Sequence, residues 1–316
     1  MKEFRILITG GAGFIGSNLV DSLIKNGNFV YVIDNFDDYY PTEIKMNNIQ
    51  HNLKEKNFRL IKGDIRDREL LKNSLKNIDI VFHLAARPGV RPSLKNPVLY
   101  HEINSTGTLN LLNACLDSNV KKIIYSSSSS VYGEIEYLPI DEKHPTNPIS
   151  VYGATKLAGE KYCHVFSKNY GMNIITLRYF TVFGPRQRPD EAICKFTNMI
   201  LKGEKPEIYG DGEQTRDFTY ITDVVDANLL AMKSKINWGV FNIGSGNRIS
   251  VNELMRLLNK ECETNIKPIY SPKKEGEISH TLANIEKAKK LLKYEPKIDI
   301  RTGIKKYVNW VRGNLS

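Results

Sequence analysis

Tyr152 and Lys156, in the run Val151-Tyr152-Gly153-Ala154-Thr155-Lys156, are the side chains of this sequence best suited to acid–base chemistry. A spacing of four puts both on one face of a helix, one turn apart. An ammonium beside a phenol favours the phenolate and lowers the phenol's proton affinity. That help matters, because an unperturbed tyrosine titrates near pH ~10 and is a poor base at neutral pH. The chain has 16 tyrosines, so the same spacing also arises on ordinary surface helices, and the pair takes its meaning from the motifs around it.

The first such motif is Gly11-x-Gly13-x-x-Gly16, preceded by Gly10 and the apolar run Phe4 to Thr9, and followed by Leu19, Val20, Leu23 and Ile24 at helical spacing. Glycines between a strand and a helix allow a tight turn, a close approach of backbone amides to a pyrophosphate, and tight packing of the helix on the strand. The helix N-terminus then faces the phosphates. A second strand, Phe29 to Ile33, ends at Asp34. Its carboxylate suits the adenosine ribose hydroxyls and repels a 2′-phosphate, so NAD is expected over NADP. The competing reading of Asp34 is a strand-end cap.

These motifs need elements to hold them. Further strands are expected at Phe58 to Ile61, Ile80 to Leu84, Lys122 to Tyr125 and Asn173 to Leu177, with long helices at Val98 to Asp117 and Tyr152 to Tyr170. Strands alternating with helices imply a parallel sheet covered on both faces, an α/β fold of the Rossmann type. In such sheets the ligand lies beyond the carboxyl ends of the strands. Beyond about Arg178 the alternation weakens and Pro, Gly and charged residues become frequent. The expected division is a dinucleotide-binding domain over 1–178, to which 217–245 returns, and a smaller mixed α/β lobe over 179–316.

Bulk properties exclude several classes. With 316 residues, 41% hydrophobic and 25% charged, the chain reads as an ordinary globular protein. No apolar run reaches the ~18 residues needed to cross a bilayer, and no signal peptide is visible. Cys115, Cys163, Cys194 and Cys262 are far apart, which suits a reducing cytoplasm and gives neither a disulfide framework nor a metal site. The formal charge of +10 is spread without a dense basic block, so nucleic acid is not an expected partner.

The chain resembles the extended short-chain dehydrogenase/reductase family, and within it the nucleotide-sugar 4-epimerases. The resemblance rests on Gly10 to Gly16, Gly63-Asp64-Ile65-Arg66-Asp67, His83-Leu84-Ala85-Ala86, Asn104-x-x-Gly107-Thr108, the serine run Ser126 to Ser130 before Val131-Tyr132-Gly133, Tyr152-x-x-x-Lys156, Arg178-Tyr179-Phe180, and Gly210-Asp211-Gly212 leading to Thr215-Arg216-Asp217-Phe218. It implies an NAD site built from Gly10, Gly13, Phe14, Ile15 and Gly16, with Asp34 and Asn35 after the second strand. Asp64 and Ile65 would contact the adenine. Leu84, Ala85 and Ala86 would line the pyrophosphate and nicotinamide side, Asn104 would lie near the nicotinamide end, and Lys156 would hold the nicotinamide ribose.

The same resemblance makes Ser128 the catalytic partner of Tyr152 and Lys156. Arg216 would bind the substrate diphosphate, Tyr209 would stack on uracil, and Lys274 would stand where a second phosphate-binding arginine often lies. The implied reaction removes the sugar's O4 proton and C4 hydride, then returns the hydride to the opposite face of a 4-keto sugar. Related dehydratases and decarboxylases carry acids near the catalytic hydroxyl. Here Ser129 and Ser130 occupy those places, which leaves epimerisation. Thr281 aligns with a gatekeeper that is a bulky tyrosine in epimerases restricted to plain hexoses, which favours UDP-GlcNAc and UDP-GalNAc, with or without UDP-Glc and UDP-Gal. The alternative is UDP-glucuronate, whose carboxylate Ser129, Ser130, Thr181 and Arg188 would surround. A non-catalytic nucleotide sensor is a reading of another class, disfavoured by the intact Ser128, Tyr152 and Lys156. The resemblance also implies a homodimer formed through the two long helices, with Leu109, Leu112 and Leu116 either as contacts on that face or, equally, buried inside the monomer.

Overall fold

Neighbouring side chains of each short strand go to opposite faces of the sheet. In β1 (Arg5–Thr9), Ile6 and Ile8 join one buried apolar cluster and Leu7 joins the other. β4 (Ile80–His83) repeats this, with Ile80 and Phe82 on the first face and Val81 on the second. Both faces must therefore be covered, which requires helices on each side.

The structure is a computed structural model that describes residues 3–273 and 278–314. A seven-stranded sheet combines β1 and β4 with β2 (Phe29–Asp34), β3 (Phe58–Lys62), β5 (Lys122–Ser128), β6 (Ile174–Tyr179) and β7 (Trp238–Ile243), in the order β7-β6-β5-β4-β1-β2-β3. All six pairings are parallel. The strand order reverses between β1 and β4, and a crevice opens at that switch point beyond the carboxyl ends.

Helix α1 (Phe14–Lys25) covers the first face through Leu19, Val20 and Leu23. Helices α2 (Gly107–Leu116) and α3 (Val151–Tyr170) cover the second through Leu111, Leu112, Cys115, Cys163 and Phe166. The single helix expected over Val98 to Asp117 is interrupted. A short helix, Pro97–Tyr100, passes through a π-helical turn at His101–Thr106 before α2 begins. Leu112 is 1% exposed and belongs to the monomer's own core, so it is not available to a second subunit.

The strand β7 lies far along the chain yet closes the sheet beside β6, and the preceding helix Ile221–Lys233 packs on α1. The remaining small lobe is built from two-stranded pairs. Glu207–Tyr209 runs parallel to Ile269–Ser271, and Thr215–Arg216 runs antiparallel to Ile249–Ser250. Among the described residues no helix is long and apolar enough to cross a membrane, and no cluster of His, Cys, Asp or Glu could hold a metal.

Candidate active site

The turn after β1 is shaped by its glycines. Gly10 has φ +74°, and a Cβ there would lie 2.7 Å from the Ala85 nitrogen. A Cβ on Gly16 would collide with the Gly10 carbonyl. The first N–H groups of a helix lack intrahelical partners, and those of α1 carry the positive end of its dipole. Gly10, Gly13, Phe14, Ile15 and Gly16 all line a cavity of ≈ 470 Å³.

Asp34, at the end of β2, lines the same cavity and accepts hydrogen bonds from the Ala12 amide (3.0 Å) and the Phe36 amide (2.9 Å). The strand-end cap and the cavity-facing acid are thus one residue in both roles. Burial pushes its carboxyl up, against the two amides and the nearby Lys45 ammonium, which pull it down. Asn35 donates to Asp64 at 2.8 Å, and Arg66 grips Asp64 at 3.0 and 2.9 Å. Burial raises the Asp64 carboxyl, but these bonds outweigh it and hold the group below its usual range. Asp64 and Ile65 sit at the cavity edge with Leu84, Ala85 and Ala86, which follow β4.

The serine run is positioned by β5. Ser126, Ser127 and Ser128 are strand residues, and Ser129–Val131 form one 3₁₀ turn. Ser128 Oγ accepts the Ser130 amide at 3.1 Å. Ser127 donates to Glu160 of α3 at 2.5 Å, and Arg178 of β6 pairs with both oxygens of that carboxylate, at 2.9 and 2.6 Å. This buried group ties β5, β6 and α3 together, and Ser128 ends β5 at the rim of the cavity that Tyr152 also lines.

Helix α3 begins at a cap, with Ser150 Oγ accepting the Gly153 amide at 3.0 Å. The Tyr152 amide donates to Ser93 at 3.0 Å, and the Ser128 hydroxyl is near enough to the Tyr152 phenol to lower its proton affinity. Lys156, 4% exposed, donates to the Ser126 carbonyl at 2.8 Å and lies 5.2 Å from the Tyr125 ring. Burial lowers its pKa to about 8. Tyr152 is pushed up by burial and by Glu191, and pulled down by Arg188 and the Ser128 hydroxyl. Arg188, carried to the cavity by a loop distant in sequence, is thus a cation acting on the phenol that helical spacing did not reveal.

Asn104 lies behind the cavity wall. It is 1% exposed, accepts the Arg87 amide (2.7 Å), and donates to the Arg87 carbonyl (3.1 Å) and to Thr155 (3.0 Å). It does not line the cavity. It braces the turn after β4 against α3, beneath the site.

The Gly184 to Glu191 loop is fastened to α1 through Asn18 to the Pro185 carbonyl (3.2 Å) and Arg186 to Asp21 (2.7 Å). It brings Arg188 to the cavity, which Thr181, Ser129 and Ser130 also line. Arg188 is already paired, with Asp190 at 3.0 Å and Glu191 at 2.9 Å. The Tyr39 ring lies 5.5 Å from the Arg87 guanidinium and 5.7 Å from that of Arg188. Tyr39, Lys45 and Glu191 line the cavity but were missed in the sequence. Tyr39 and Lys45 lie in a polar stretch without periodicity, whereas Glu191 stands only three residues beyond Arg188.

Three substrate residues lie outside this cavity's lining. Tyr209 donates to Glu207 at 2.7 Å and stacks under the Arg91 guanidinium at 5.2 Å. Arg216 donates to the carbonyls of Thr215 (2.9 Å) and Ser279 (3.1 Å), and burial together with the nearby Arg91 charge lowers its pKa. Arg91 directly follows Val90, a lining residue, so this cluster adjoins the cavity. Thr281 is 7% exposed, and its hydroxyl accepts the Asp217 amide at 3.3 Å. It is tucked against the Thr215–Asp217 backbone, outside this cavity's lining. Lys274 lies outside the described residues.

The fold and site define an extended short-chain dehydrogenase/reductase. Residues 7–307 match the family described as GDP-mannose 4,6 dehydratase, and the chain belongs to that family. It is 40% identical to a UDP-glucuronate 4-epimerase of Thermodesulfobacterium geofontis, covering 98% of this chain and 96% of that one. Among solved structures, the UDP-N-acetylglucosamine 4-epimerase from Methanobrevibacter ruminantium M1, in complex with UDP-N-acetylmuramic acid, superposes with a TM-score of 0.93 at 38% identity, covering 99% of this chain and 100% of that one. The Bacillus cereus UDP-glucuronic acid 4-epimerase, in complex with UDP-glucuronic acid and NAD, gives a TM-score of 0.94 at 39% identity, covering 98% of this chain and 99% of that one.

Proposed function

We propose that the protein is an NAD-dependent UDP-sugar 4-epimerase whose sugar is a neutral hexose or N-acetylhexosamine. The enzyme class and the cofactor follow from the family and from relatives of this length that carry the same chemistry. The glycine turn, the α1 N-terminus and Asp34 fit a dinucleotide with a free 2′-hydroxyl. When bound, NAD supplies a reversible hydride acceptor and a positive charge beside Tyr152.

Tyr152 takes the proton from O4 and returns it. Ser128, beside the Tyr152 phenol, orients O4. No carboxylate occupies Ser129 or Ser130, so nothing there assists elimination or decarboxylation. One observation carries the choice of a neutral sugar. Arg188, the cation that would meet a uronate, is already bridged by Asp190 and Glu191. UDP-glucuronate is the second reading, favoured because Ser129, Ser130, Thr181 and Arg188 line one cavity with Tyr152.

A panel of UDP-Glc, UDP-GlcNAc and UDP-glucuronate, with products separated chromatographically, tests this. The highest kcat/KM is expected for one of the two neutral sugars. A higher value for UDP-glucuronate would overturn the neutral reading, and conversion of none of the three would overturn the epimerase itself.

A further inference from the structure

Glu191 is oddly disposed. It occupies the N-cap of the helix Ala192–Leu201, in extended backbone (φ −82°, ψ 144°), and its side chain makes no capping bond. A carboxylate at that position would ordinarily find the unpaired amides and the positive end of the helix favourable. Instead it turns into the cavity. One oxygen takes Arg188 Nη2 at 2.9 Å and the other takes Gln187 Nε2 at 2.7 Å. Gln187 is itself braced on the Val182 carbonyl at 3.3 Å.

We propose that Glu191 sets the sugar specificity of the site by neutralising Arg188 and so rejecting substrates that carry a carboxylate on the pyranose ring. The proposal deepens the neutral-sugar reading and rests on it.

The geometry supports it in three ways. With O4 at Tyr152, C6 is only two bonds from C4, and both Arg188 and Glu191 are close enough to act electrostatically on the Tyr152 phenol. A C6 carboxylate therefore falls within the field of both groups. Second, one guanidinium between Asp190 and Glu191 leaves a net negative charge where a uronate would arrive, and like charges in a partly desolvated cavity repel strongly. A hydroxymethyl group meets no such penalty. Third, Glu191 is held from two sides and cannot swing away without giving up its bonds to both Gln187 and Arg188. Glu191 acts on the substrate through Arg188 and is a specificity residue; it neither gives nor takes the transferred proton.

The test compares wild type with Glu191→Gln, and with Glu191→Met as a second variant in case the first folds poorly. Each is assayed with UDP-GlcNAc as internal reference, for turnover of UDP-glucuronate and for competitive inhibition by it. The expected result is a shift of about tenfold or more toward UDP-glucuronate. It should appear as a lower KM or Ki with little change in kcat, the size of one charge-assisted bond gained. The shift should vanish in Glu191→Gln/Arg188→Gln. A ratio and a Ki within twofold of wild type in both single variants would overturn the proposal. A wild-type preference for UDP-glucuronate would instead overturn the neutral-sugar reading, and the two failures are read from different measurements.

Discussion

At the scale of single residues, Tyr152 is poised between opposing influences. Burial and Glu191 hold its proton on, while Arg188 and Ser128 loosen it. A phenol so placed needs the further positive charge of the cofactor to act as a base near neutral pH, which couples proton transfer to NAD binding. Tyr152→Phe keeps the ring and removes the proton acceptor. Turnover should fall by about 10²–10⁴-fold, the usual contribution of a positioned general base. Bound NAD, measured by release on denaturation, should remain, because the glycine turn and Asp34 are untouched. Full activity in this variant would sink the assignment of the base.

At the scale of elements, the site depends on ties between strands and helices. His83 at the end of β4 is fully enclosed, with one ring nitrogen 2.7 Å from Thr9 of β1 and the other 2.9 Å from Thr108 of α2. Burial, with help from the Lys156 charge, lowers its pKa to about 3. The native state refuses a proton that the unfolded chain takes up near pH ~6.5. The group's contribution to stability is therefore complete above pH ~6.5 and is lost as pH falls toward about 3, at roughly 1.4 kcal/mol per pH unit. Denaturant melts of His83→Gln should show a shallower loss of stability between pH ~6.5 and ~4.5 than wild type. Identical slopes would show that His83 is not the group being protonated.

At the scale of the whole molecule, β7 closes the main sheet only after the chain has crossed into the small lobe and back, so the two lobes share one framework around the cavity. The outer side of α3 leaves Val165 46% and Tyr170 60% exposed, and Leu94 and Val98, before α2, are 56% and 65% exposed. We expect these apolar side chains to meet their copies in a homodimer. Light scattering should give twice the 36.0 kDa chain mass, and Val165→Glu should shift it toward the monomer. A wild-type monomer at working concentrations would refute this interface.

Local spacing by itself determined the glycine turn, the parity of the strands, and the placing of Tyr152 and Lys156 on one helical face. Each of those follows from the period of a single element, a strand repeating every two residues and a helix every 3.6. The Rossmann order was legible for the same reason, because alternating strands and helices leave few ways to cover both faces of a sheet. What a side chain does once it leaves its backbone depends on partners distant in sequence, and only the tertiary structure decided that. Asn104 turned inward to the Arg87 backbone and Thr155, Thr281 lay against Asp217, and Tyr209 met Arg91. Lys156 reached the Ser126 carbonyl, Arg188 came to act on the phenol from a distant loop, and Glu191 paired with Arg188 in turn. Periodicity shows which way a residue faces on its own element, but the charge it meets there is set by loops that packing brings over it.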